Sequence, residues 1–171
     1  MRPSDADIGA LLEALAAAGV DHVVVGGVAA VFHGAPLPTR DLDIVPDRDP
    51  ANLDRLHALL QRIDAIAREP GSRQLHVRRE WLDGGGQVLL RTSLGPLDIL
   101  LRLHDGRGYG ELVERSVALE ADGLSVRVID LPALLDIKAS TGRPRDRLAV
   151  PILAELLAAR ERGEGPSDDE A

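Results

Sequence analysis

The chain has no cysteine. Disulfides and thiolate metal sites are therefore excluded. Aromatic residues are 2% of the 171 residues, with one Trp, one Tyr and one Phe. A nucleic-acid binder that stacks bases on successive rings needs more, so that mode of recognition is not expected. No apolar run approaches the length of a membrane span, and the N-terminus lacks the apolar core of a signal peptide. The expectation is a soluble, cytoplasmic protein. Net positive charge is also missing. The formal charge is −8, of which Glu164, Asp168, Asp169 and Glu170 carry −4, leaving −4 on residues 1–163. This balance argues against a polyanionic partner only on average, because phosphate binding follows the local field. Arginines do cluster locally, at Arg78 and Arg79, at Arg102 and Arg107, and at Arg143, Arg145 and Arg147.

Hydrophobic residues make up 44% of the chain, enough for one domain with a sizeable core. Ser4, with Asp7 three residues on, reads as the start of a helix. Its apolar positions are Ile8, Leu11, Leu12 and Leu15, and Gly19 ends it. A strand follows at 22–25, then a glycine turn, a helix at 28–33 and a strand at 41–45. Pro36 and Pro38 keep the connection extended. Asp49-Pro50 starts a helix that runs to about 66. Residues 67–86 show no clear period, and Trp81 is read as local packing. Strands are expected at 87–92 and 97–103 around a Gly95-Pro96 turn, with a short helix at 109–115. Asp122-Gly123 between apolar runs marks a hairpin of strands 117–120 and 124–129. Asp130 caps a helix at 131–140, and a last helix begins near Asp146 with Leu148, Ile152, Leu153, Leu156 and Leu157 facing inward. The fold class is α/β: a small mixed, twisted sheet with packed helices and a C-terminal helical portion. Residues 1–130 form the expected core, 131–163 the helical portion packed on it, and 164–171 an acidic disordered tail.

The chemistry concentrates in residues 23–45. In a strand, positions i and i+2 share a face, so Asp41 and Asp43 project together while Leu42 and Ile44 turn into the core. Two close carboxylates repel unless a cation lies between them, and hard oxygen ligands suit Mg2+. The Gly26-Gly27 turn leads into a helix, so its backbone N–H groups can face a phosphate. Thr39 lies two residues before Asp41. Its hydroxyl serves a phosphate, or it is simply a β-favouring residue at a strand start. Asp98 lies within Leu97-Asp98-Ile99-Leu100-Leu101. A carboxylate in so apolar a strand is costly unless paired or metal-bound. Asp98 is therefore the candidate third acid.

A strand ending in Gly26-Gly27, thirteen residues, then Asp41-Leu42-Asp43-Ile44 resembles the signature of the polymerase-β-like nucleotidyltransferase superfamily. The resemblance implies an Mg2+-dependent enzyme, with two metal ions, that uses an NTP as substrate. Asp41, Asp43 and Asp98 would be its metal ligands, and Asp98 would help deprotonate the attacking hydroxyl. Further on, Leu131-x-x-Leu134-Leu135-x-x-Lys138, then Arg143-x-Arg145-Asp146, resembles the AbiEii/MenT-like nucleotidyltransferase toxins. That likeness implies that Lys138 neutralises the triphosphate and that Asp146 belongs to the active site. Arg143 and its neighbours add to the triphosphate site. Many members carry another aspartate where this chain has Ala149, so no role for that acid carries over.

The toxin resemblance implies transfer of NMP to the 3′ end of tRNA, held by arginines among Arg78, Arg79, Arg143, Arg145 and Arg147, and a cognate antitoxin as partner. Three alternatives stay open. They are nucleotidylation of a protein, modification of a small molecule such as an aminoglycoside, and a catalytically silent binding module. The intact acidic set argues against the last.

Overall fold

The computed structural model describes residues 2–68 and 74–164. The expected tail therefore lies almost wholly outside the described residues. Helix α1 spans Ile8–Ala17 and starts at Asp7, whose side chain accepts from the Ala10 N–H. It does not start at Ser4, because the preceding backbone is used elsewhere. The Ala6 N–H donates to the Arg40 carbonyl at 2.8 Å and the Asp7 N–H to the Leu94 carbonyl at 2.9 Å. Strand β1, His22–Val25, leads directly into helix α2, Gly26–Phe32, and strand β2 follows at Leu42–Pro46. Asp49 and Pro50 open helix α3, Pro50–Arg62, as their order predicts.

That helix stops short of the expected residue 66. Asp64 takes a positive φ of 51°, and the Ala65 N–H folds back to the Leu60 carbonyl. The next two residues are released to form strand β3, Ile66–Ala67. Arg79–Asp83 is a short 3-10 turn. Strands β4, Gln87–Thr92, and β5, Gly95–Leu100, form a hairpin whose turn is Ser93-Leu94 rather than Gly95-Pro96. The Thr92 hydroxyl fastens this turn, donating to the Gly95 carbonyl and accepting from the Leu94 N–H. Gly95 belongs to the strand and is needed for proximity, since a Cβ there would lie 2.5 Å from the Asp5 carbonyl oxygen.

Helix α4 is Tyr109–Val113, and strands β6, Ser116–Ala121, and β7, Leu124–Ile129, form the expected hairpin. Asp122 and Gly123 both take positive φ, as a tight two-residue turn requires. Asp130 caps helix α5, Leu131–Thr141, accepting from the Ala133 N–H. Helix α6, Pro144–Glu161, starts two residues ahead of Asp146 with proline at its first position. Its buried face is Asp146, Ala149 and Leu153, at i, i+3 and i+7. Leu148 falls about 140° round the helix from Leu153. It is 73% exposed, not inward as its place in the sequence pattern suggested.

Among the described residues, seven strands form one mixed sheet in the order β3-β4-β5-β2-β1-β7-β6. The pairs β2–β5 and β1–β7 are parallel; the others are antiparallel. Val23, Val24, Leu42, Ile44, Leu97 and Ile99 of the central strands are buried. These residues pack with Leu11, Leu15, Leu56 and Leu60 into one core. This rigid centre sets the register of the acidic residues. Arg160 of α6 donates to the His33 carbonyl at 3.3 Å, and a His33 ring nitrogen lies 2.7 Å from the Ile129 carbonyl. No helix among the described residues is long and apolar enough to cross a membrane.

Candidate active site

Asp43 lies opposite Val25 on one side and Asp98 on the other. Antiparallel pairing with β1 and parallel pairing with β5 therefore bring two carboxylates to adjacent positions at the centre of the sheet. Asp41 stands just before β2, in reach of the same cluster. Where β1 becomes α2, the chain turns onto Asp43. Gly26 has φ +69°, and a Cβ on it would come within 2.2 Å of Asp43 Oδ2. A Cβ on Gly27 would come within 2.7 Å of Thr39 Oγ1. Gly26 is thus required by its backbone and by close approach, while a side chain at Gly27 would make Thr39 shift. Val25, at the helix N-cap, offers no side-chain cap. The first-turn N–H groups therefore have no acceptor within the helix. Thr39 donates to the Asp41 carbonyl at 3.2 Å, which orients the hydroxyl along the strand entry.

The acids are not left without a cation. Arg68, just past β3, places Nη2 2.5 Å from Asp98 Oδ1 and Nη1 3.9 Å from Asp41 Oδ2. Nη2 also donates to the Leu90 carbonyl at 3.1 Å, while the Arg68 Nε is buried without a hydrogen-bond partner. Arg68 is the cation at the acidic cluster that the sequence pattern does not announce. It follows a two-residue strand in a stretch with no period, and the helix expected to run through 66 hides that strand.

The later motif also closes on itself. Lys138 Nζ lies 2.9 Å from Asp146 Oδ1, and the Thr141 hydroxyl donates to Asp146 Oδ2 at 2.6 Å. These contacts link α5 to the first turn of α6. Both partners are well buried, with side-chain exposures of 12% for Lys138 and 7% for Asp146. Burial alone would raise the Asp146 pKa, but the hydrogen bonds from Thr141 and Lys138 hold it below the usual carboxylate value. Arg143 is the exposed N-cap residue of α6, and Arg145 and Arg147 are exposed on its first turn.

Asp43 carries the strongest sign of charge crowding. Burial, then Asp41, then Asp98 push its carboxyl up to about 7, although Arg145 and Lys138 pull the other way. Burial likewise raises Asp98, against the opposing effect of Arg68. Burial is the larger cause of both shifts, and the donors of the set are all hard oxygens. That chemistry fits Mg2+. Among the described residues, no three His, Cys, Asp or Glu side chains converge as a ready ligand set. Arg68 is paired with two of the three acids concerned.

Other predicted residues lie apart from this cluster. Arg79 is committed to Asp54 at 2.6 Å and Asp83 at 2.8 Å. Arg78 lies over the Trp81 ring, 6.0 Å from its centroid, and Trp81 packs against the core. A cleft of about 220 Å³, lined by Leu12, Val20, His22, Tyr109 and Arg127 among others, opens at the far end of β1 from Asp43. It contains none of the candidate residues.

No family model and no curated protein matches the chain. Solved structures do match it in fold. A Thermotoga maritima protein assigned as a nucleotidyltransferase (TM1012) is 16% identical with a TM-score of 0.54, over 91% of each chain. The lincosamide antibiotic adenylyltransferase LnuA, with lincomycin bound, is 16% identical with a TM-score of 0.59, over 90% of this chain and 99% of that one. The antibiotic-resistance factor ANT(2'')-Ia is 15% identical with a TM-score of 0.54, over 90% of this chain and 84% of that one. The chain has the nucleotidyltransferase fold.

Proposed function

We propose that the protein transfers a nucleoside monophosphate from an NTP to an acceptor hydroxyl. One observation carries this reading. Asp43 and Asp98 are neighbours in register, and the Gly26 turn is folded onto Asp43. In this reading Asp41, Asp43 and Asp98 hold the divalent metal. Bound there, Mg2+ would supply Lewis-acid polarisation of the triphosphate and a lowered pKa for the acceptor hydroxyl. The residues provide the rest. The amides of Gly26 and Gly27 receive phosphate oxygens. Thr39 lies beside Gly27 and can turn its hydroxyl to the same phosphates. Asp98 takes the proton of the attacking hydroxyl. Lys138, fixed in direction by Asp146, and Arg143 with Arg145 offset the charge of the triphosphate and of the leaving pyrophosphate. Residues 1–130 act as the nucleotidyltransferase core, and 131–163 as the helical portion that brings Lys138 and the arginines to it.

For the acceptor we favour the 3′ end of tRNA, with the protein acting in the cytoplasm as the toxin of a toxin–antitoxin pair. Arg143, Arg145 and Arg147 support this reading: three exposed cations on one helix turn, two of them in a position to face a phosphate backbone while Arg145 serves the triphosphate. A second reading is a small hydroxylated compound. Its support is the fold shared with LnuA and ANT(2'')-Ia, which are antibiotic-directed proteins. Protein nucleotidylation ranks third.

The test is incubation of the full chain with Mg2+ and each labelled NTP in turn, offered total RNA, cell protein and a panel of aminoglycosides and lincosamides. Label on tRNA 3′ ends, together with growth arrest on expression that Asp41→Ala abolishes, supports the toxin reading. Label on a drug or on protein overturns it and leaves nucleotidyl transfer standing. No label on any acceptor, with any NTP, removes the enzyme reading.

A further inference from the structure

Arg68 occupies an unusual position for a structural arginine. Its Nη2 is bonded to Asp98 and its Nη1 reaches towards Asp41. These are two of the three carboxylates that the proposed reaction needs for metal. The guanidinium is only partly satisfied, since Nε is buried without a partner. Its anchoring to the sheet is slight. Among the described residues, the side chain holds only the Leu90 carbonyl besides the acids, while the Arg68 backbone N–H donates to the Leu89 carbonyl at 2.8 Å, just past a two-residue strand at the sheet edge. An arginine pinned for stability alone would fill its donors with fixed acceptors. With Asp98 Oδ1 held at 2.5 Å by the guanidinium, a divalent cation is confined to the carboxylate's remaining lone pairs, and the two cations repel each other.

We infer that Arg68 is an internal counter-cation that competes with the divalent metal for Asp98, so that metal loading and release of the Arg68–Asp98 ion pair are one event. The inference rests on the nucleotidyltransferase reading and extends it to control of that site. Arg68 is a positioning residue here. It balances the acids before metal arrives, and its grip on Asp98 sets how tightly metal binds. Rotation of the guanidinium away from Asp98 frees Oδ1 of a carboxylate already in register with Asp43.

The experiment measures Mn2+ binding to the full chain, by the electron paramagnetic resonance of free Mn2+, at about pH 8.5. At that pH protons compete little for the carboxylates. Arg68→Gln is expected to bind Mn2+ at least about tenfold more tightly than wild type, equivalent to about 1.4 kcal/mol of competition removed. Damage to the fold would weaken binding, so the direction separates control from structure. In an Asp98→Asn background the gain from Arg68→Gln should vanish, because the competition acts through Asp98. A second measurement needs no variant. In 15N-arginine-labelled wild type, Mg2+ should free the Arg68 guanidinium, seen as faster rotation of its nitrogens. Equal or weaker Mn2+ binding by folded Arg68→Gln, a gain that persists undiminished with Asp98→Asn, or Arg68 nitrogens unmoved while metal binds would each overturn the inference alone. If neither wild type nor Arg68→Gln binds Mn2+, the nucleotidyltransferase reading falls with it.

Discussion

Gly26 and Asp43 are matched to each other: the left-handed backbone of the glycine, at φ +69°, leaves room for a carboxylate that a Cβ would meet at 2.2 Å. The α-carbon and the acid side chain cannot both keep their places if a methyl group is added. Gly26→Ala is expected to strain the backbone by roughly 1–2 kcal/mol and to displace the Asp43 carboxylate. Melting temperature should fall by several degrees, while nucleotidyl transfer falls far more, by about 10²-fold, because a shift near 1 Å at the reacting centre has that effect. Equal losses in stability and activity, or an active Gly26→Ala, would show that the turn does not position Asp43.

A second expectation follows from the burial of Asp43 beside Asp41 and Asp98. Its folded pKa, about 7, lies above the ordinary value of 3.8. The unfolded chain therefore loses this proton first as pH rises. Between about pH 4 and pH 7 the native state binds more protons, so stability from this group falls with rising pH and the full loss is present above 7. At about 1.4 kcal/mol per pKa unit the effect reaches a few kcal/mol. Asp146 has the opposite sign. Its pKa is lowered, so its stabilisation is present at neutral pH and lost on acidification. Thermal melts of wild type and Asp43→Asn across pH 4–8 should diverge in favour of the variant as pH rises. A constant gap between the two would contradict an Asp43 carboxyl raised by burial and neighbouring acids. Added Mg2+ should raise the wild-type melting temperature most above pH 7.

The central strands were legible because two periods agree there. Apolar Val23, Val24, Leu42 and Ile44 are buried, and the polar residues between them carry the acids. Asp98 stood out because a carboxylate between Leu97 and Ile99 needs a partner or a metal, and the partner present is Arg68. The cap at Asp130 and the Asp122-Gly123 turn were read from local chemistry alone. What failed depended on distant partners. Ser4 has the composition of a cap, but Arg40 and Leu94 take the neighbouring backbone N–H groups. Gly95-Pro96 looks like a turn, yet Gly95 is there for the approach of Asp5. Arg68 has no local mark, because its meaning comes from Asp98, thirty residues on in sequence and joined to it across β4.

Lys138 and Asp146 should separate into distinguishable effects. Lys138 lowers the Asp43 pKa, so its removal should raise that pKa further and move the acidic limb of the pH–rate profile upward. Lys138→Met should also cut the transfer rate by about 10²-fold, the loss expected for one preorganised charge. Asp146→Asn removes the charge facing Lys138, which leaves the lysine field at Asp43 stronger and should move the limb downward. It also breaks a buried pair, at roughly 3–5 kcal/mol of stability. Shifts of the same sign in both variants would refute this arrangement.

The last prediction concerns which arginines meet RNA. Arg79 spends its Nε on Asp54 and its Nη1 on Asp83, and Arg78 is laid over Trp81. Freeing Arg79 for a phosphate would break two ion pairs. Arg143 and Arg147 are exposed next to the residue, Arg145, whose charge is felt at Asp43 and Asp98. If tRNA is the acceptor, Arg143→Ala and Arg147→Ala should each weaken its binding and flatten the log–log salt dependence by about one unit. The Arg78→Ala/Arg79→Ala double variant should keep wild-type RNA affinity and salt slope, with a small loss of melting temperature from the broken pairs. Filter binding of labelled tRNA over a range of salt concentrations decides between the two clusters. A slope unchanged in Arg143→Ala and Arg147→Ala but reduced in the double variant would move the RNA path to the 3-10 turn at Arg79–Asp83. Slopes unchanged in all three would remove RNA as the acceptor and turn attention to small hydroxylated compounds.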